Sequence, residues 1–172
     1  MQFRRRVSIL GWVLILNLGF LIVVGAQASS SLAGTWRLNV AKSKWSPGPG
    51  NTSNTTRYDV TQTGIKATTD SVNAQGHKLH TEFACSFDGK DCPDQLITVD
   101  GKPSSDFSVA ATTLSWKRID DYTYEYATKI KGQILSTTRI VVAKDGKMQT
   151  RTTTGKNAQG RTVNNVVVWE KQ

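Results

Sequence analysis

The 172-residue chain holds few side chains with the types and spacing that chemistry requires. His77 and His80 stand three apart, so on a strand, where side chains alternate, they face opposite ways. His80 and Glu82 share a face but make only a two-member cluster, short of a metal's ligand set or an oriented general base, so the pair reads as exposed strand residues. Asp88, Asp91, Asp94, Asp100, Asp106, Asp120, Asp121 and Asp145 all lie in or beside turns, where aspartate serves the backbone. Serine and threonine are abundant, yet none has an identifiable activating partner, and no nucleophile elbow, phosphate loop or metal-protease motif occurs. The expectation is a non-catalytic protein with no cofactor and no metal.

Other residues point to binding. Trp116, Tyr122, Tyr124 and Tyr126 could line a cavity, rings stacking on a ligand and hydroxyls orienting it, although buried aromatics are ordinarily plain core. Arg139 and Arg151 depend on the turn between them. If Asp145-Gly146 forms a two-residue turn, Arg139 faces Thr152 and Arg151 faces Ile140, so one arginine points inward and implies an anionic ligand. If Lys144-Asp145-Gly146 turns instead, Val142 meets Met148 and both arginines lie outside. The second register separates polar from apolar residues better and is preferred, with Arg139 kept among the candidate ligand contacts beside the four aromatics. Cys85 and Cys92 flank Asp88-Gly89, a favoured two-residue hairpin turn that sets them opposite each other at a separation a disulfide can bridge. Metal ligation by the two thiolates lacks further ligands nearby.

The elements that carry these residues read as strands. Arg4, Arg5 and Arg6 precede an apolar run from Ile9 to Val24 and then Ala26-Gln27-Ala28, the grammar of a signal peptide over 1–28, with a membrane anchor as the alternative. Export agrees with the disulfide and places the protein in an extracytoplasmic compartment, periplasmic or secreted. Without the three leader arginines the chain holds 19 basic and 13 acidic residues, a scattered excess that favours solubility over a nucleic-acid groove. From residue 29 to 172, Gly-containing turns at short intervals separate Thr- and Val-rich runs of alternating polarity, and no helical periodicity is sustained. About ten strands in up-and-down order predict an all-β fold. Rolling them into a single antiparallel barrel hides both edge strands, while a flat or two-layer sheet competes. The segment from Ser43 to Thr56, with Ser46-Pro47-Gly48-Pro49-Gly50, reads as a long loop at the barrel mouth.

Gly34-Thr35-Trp36-Arg37-Leu38-Asn39 resembles the first strand of the calycins, the superfamily of lipocalins and fatty-acid-binding proteins, and Val167-Val168-Trp169-Glu170-Lys171 looks like the closing strand of the latter. The chain is also similar to small bacterial exported proteins with a lipocalin-like domain. The resemblance spans 32–172 and implies a barrel sealed at one end by Trp36, with Gly34 opening the motif, and open at the other to a small apolar ligand. Where that family reads a carboxylate with arginine and tyrosine in the last strand, this chain has Val167 and Trp169. Lys171 and Arg161 are candidates for the cation that stacks on the motif tryptophan in lipocalins. Taken together, the residues and the resemblance lead to an exported monomer that binds a small apolar or amphiphilic molecule, with no nucleic-acid partner and no membrane insertion once the leader is removed. A structural or protein-interaction module with a filled core is the alternative.

Overall fold

The computed structural model describes residues 30–103 and 112–172, with the backbone alone described for Gln95 and Leu96. The expected signal peptide over 1–28 and Asp106 lie outside the described residues. All regular structure described is β: β1 (Gly34–Lys44), β2 (Ser53–Val60), β3 (Gly64–Val72), β4 (Lys78–Ser86), β5 (Asp88–Val99), the two-residue β6 (Lys102–Pro103), β7 (Thr112–Arg118), β8 (Thr123–Ile130), β9 (Gln133–Val142), β10 (Met148–Lys156) and β11 (Thr162–Lys171). Every pairing is antiparallel. Neighbours follow the chain from β1 to β5 and from β7 to β11, β5 bridges to β7, and β1 pairs with β11. Ten strands therefore close into a barrel, and the alternative of an open or two-layer sheet is excluded. Closure gives each of these strands a neighbour on either side, which removes the unpaired edge that an open meander exposes.

The strand pattern follows from alternation. On β1 Trp36 and Leu38 are buried while Arg37 is exposed, and on β9 Thr138, Ile140 and Val142 are buried while Arg139 and Val141 are exposed. Asp88-Gly89 places Cys85 opposite Cys92, as the turn chemistry predicts, and the two are joined in a disulfide with their Cα atoms 5.4 Å apart. Gly89 has φ +75°, a backbone conformation that costs glycine little.

One end of the barrel is plugged. Trp36 is fully buried, its indole N–H donates to the Leu32 carbonyl at 2.8 Å, and the Lys171 ammonium sits 5.2 Å over its ring. Gly34 is required there, because its φ is +114° and a Cβ would come within 2.9 Å of Lys171 Cε. Lys171 is thus the cation on the motif tryptophan, while Arg161 lies exposed beside the β10–β11 turn. Leu32, Tyr124, Phe87, Ile65, Val142 and Trp169 join the same core.

Two expectations are corrected. The mouth loop is shorter than Ser43 to Thr56, since Ser43 and Lys44 extend β1 and Ser53 to Thr56 belong to β2. Trp45 folds back onto the core, and Ser46 is tied to β11 by two backbone links, its N–H to Asn165 Oδ1 and its carbonyl to the Asn164 N–H, both at 2.8 Å. The preferred β9–β10 register is also overturned: Val142 pairs with Gln149, Ile140 with Arg151 and Arg139 with Thr152. The Ala143 N–H reaches the Met148 carbonyl at 2.8 Å and closes a four-residue turn around Asp145-Gly146, which keeps the register of the two-residue alternative. A one-residue slip exchanges the faces of a strand, so Arg151 points into the barrel and Arg139 points out.

Candidate functional site

Above the plug the inward-facing side chains pass from buried to half-buried along the barrel. Along β10 they run Gln149, Arg151, Thr153, passing from fully buried to half-buried, and along β4 they run Cys85, Phe83, Thr81, Leu79 in the same sense. The β8 series of Tyr124, Tyr126, Thr128 and the β3 series of Ile65, Ala67, Thr69, Ser71 repeat the gradient. The outer half of the interior is lined with hydroxyls, some bonded to each other, Thr56 to Thr69 at 3.0 Å and Thr138 to Thr153 at 2.8 Å.

Arg151 occupies the middle of this interior. Its guanidinium lies 3.8 Å from the centre of the Trp169 ring and 5.5 Å from that of Tyr58, and its Nε donates to Gln149 Oε1 at 3.2 Å. Such cation–π contacts contribute on the order of 1 kcal/mol each, less than the desolvation that a cation suffers on leaving water. Arginine cannot escape that cost by losing its proton. Among the described residues no carboxylate forms an ion pair with it, and four buried donors find no protein acceptor: Arg151 Nη2, Gln149 Nε2, Trp116 Nε1 and Trp169 Nε1. Burial raises the Tyr58 hydroxyl to about 12, with Arg151 pulling the other way, so Tyr58 stays neutral. Asp94, which also acts on Tyr58, faces the same interior, and burial pushes its carboxyl above the usual range.

The structure divides the expected aromatic set. Trp116 and Tyr126 stack at 4.5 Å and Trp116 and Phe83 at 5.4 Å, a three-ring stack that meets Tyr58 edge-on at 6.3 Å. Tyr124 belongs to the plug, where its hydroxyl bonds Ser30 Oγ at 2.6 Å and its ring leans on Phe87. Tyr122 leaves the barrel altogether, 40 % exposed and lining an outer cleft of about 660 Å³ with Asp120, Asp121 and Val141. Arg139 sits on the outer face, 3.8 Å from Glu125. Sequence reasoning passed over Gln149, Trp169 and Tyr58, assigned Asp94 to a turn although it lies within β5 opposite Phe83, and set Arg151 outside. The available signal was the two-residue Asp-Gly register, which the polarity of β10 argued against.

Outside the barrel His77 bonds Asp100 at 2.8 Å, and His80 lies between Asp70 at 2.7 Å and Glu82 at 3.5 Å. These bonds raise His80 and lower Asp100. Among the described residues no group of three or more His, Cys, Asp or Glu side chains is placed to hold a metal ion, and no helix is long and apolar enough to cross a membrane.

A scan of protein-family models finds none that matches the chain, and a search of curated proteins finds no match. The barrel is compatible with a lipocalin-like fold on its own architecture, ten antiparallel strands closed around one plugged end.

Proposed function

We propose that this protein is an exported, non-catalytic, lipocalin-like binder that takes a small, mainly apolar molecule into its barrel from the end opposite Trp36. The observation that carries the reading is the gradient of the interior: inward-facing residues are fully buried at the plug and half-buried toward the mouth, on β3, β4, β8 and β10 alike. A barrel packed solid along its length would bury both ends equally. The ring stack of Phe83, Trp116 and Tyr126 supplies apolar surface of the kind that lines small-molecule sites. The disulfide fits an oxidising compartment outside the cytoplasm, and the basic, apolar, small-residue order of 1–28 supplies the export signal.

Titration with N-phenyl-1-naphthylamine, a neutral apolar dye that fluoresces on leaving water, tests the reading. Saturable one-to-one binding that quenches tryptophan emission is expected, together with a co-purifying small molecule in native mass spectrometry of protein from its own host. A barrel that binds no dye and travels with no ligand is the filled interaction module instead.

A further inference from the structure

We infer that the ligand carries one anionic oxygen group, of the carboxylate or sulfonate class, and seats it on Arg151 inside the barrel, with an apolar body toward the half-buried Phe83 and Tyr126. The inference rests on the binding reading above and adds the chemistry of what is bound. Its ground is an imbalance of hydrogen-bonding groups. Gln149 commits its amide oxygen to Arg151 Nε, which leaves its Nε2 to act only as a donor. Trp169 lies under the guanidinium and offers only an N–H, and Trp116 offers another one ring further along, across Tyr58. Arg151 Nη2, Gln149 Nε2, Trp116 Nε1 and Trp169 Nε1 are therefore four donors on one interior, each without a protein acceptor.

Buried polar groups are almost always paired, so a cluster left this way marks the place where pairing is completed by something else. What the four donors lack is an acceptor, and a negative one also neutralises the guanidinium. Guanidinium, amide and indole N–H groups together suit the several lone pairs of a carboxylate or sulfonate, and arginine binds such groups through two parallel bonds. Neither Tyr58 nor Asp94 completes the set, because Tyr58 remains a neutral phenol and Asp94 is in no ion pair with Arg151.

The test compares two dyes with nearly the same body on the purified protein: 1-anilinonaphthalene-8-sulfonate, which carries a sulfonate, and N-phenyl-1-naphthylamine, which lacks it. Wild type is expected to bind the sulfonate at least about tenfold more tightly, the yield of a charge-assisted hydrogen-bond pair. Arg151→Met should abolish that preference by weakening the sulfonate about tenfold. Arg151→Lys, which keeps charge but not the fork, should fall between, and Arg139→Met on the outer face should change neither dye. Should Arg151→Met fail to fold, Gln149→Leu removes one donor and is expected to weaken the sulfonate alone. On adding the sulfonate, the indole N–H resonances of Trp169 and Trp116 should move downfield, as those of Trp36 do not. Equal affinity for the two dyes, equal loss of both in Arg151→Met, or loss of the preference in Arg139→Met overturns the inference and leaves the carrier reading standing. Failure of both dyes to bind wild type overturns the two together.

Discussion

The plugged end of the barrel and its middle use the same residue types to opposite effect. At the plug an indole and a cation are fully accommodated, the Trp36 N–H on the Leu32 carbonyl and Lys171 over the ring with its ammonium end near solvent. In the middle an indole and a cation are again stacked, Trp169 under Arg151, but here both keep unpartnered N–H groups. The first arrangement stabilises the fold. The second leaves a charge and several donors buried without partners, at a cost to stability.

Mutations should separate the two regions. The largest effect is expected from Trp36→Ala, which removes the largest fully buried side chain of the plug and should lower unfolding free energy by about 3–5 kcal/mol in urea denaturation. Replacing Cys85 and Cys92 together by serine should cost about 2 kcal/mol, the chain entropy released from a short loop, in the same assay. Arg151→Met, despite its central position, should leave stability unchanged or raise it by up to about 1 kcal/mol, since an apolar group of similar length replaces a desolvated cation. A loss as large as that of Trp36→Ala would make Arg151 a structural residue and erase the contrast.

The smallest effect concerns pH. Burial holds the Asp94 carboxyl above its ordinary value of 3.8, so the folded barrel keeps this proton after the unfolded chain has lost it. As pH rises from the unfolded value through the raised folded one, Asp94 withdraws stability. Asp88, Asp100, Asp120 and Glu170 shift downward through hydrogen bonds to Lys90, His77, Tyr122 and Asn39, and act with the opposite sign. The difference between wild type and Asp94→Asn should therefore grow in favour of the variant from pH 3 toward neutrality and then level off, followed by thermal melts at each pH. A difference that stays flat would place Asp94 in water.

Much of the fold was legible before any coordinates. Alternation along β1, β2 and β7, the Asp88-Gly89 turn and the pairing of Cys85 with Cys92 are local matters, decided by side chains one or two residues apart and by which residues tolerate a tight turn. The Gly34-x-Trp36 opening likewise announces a close approach of backbone to side chain. Tertiary structure alone decided the closure of β4 on β5 and β1 on β11, because which strands meet depends on twist and length summed over the whole sheet. It also decided which arginine the barrel holds. Met148 to Thr154 carries threonine on both faces, so hydrophobicity assigns neither face to the core, and a one-residue choice in the preceding turn sends Arg151 inward and Arg139 to solvent.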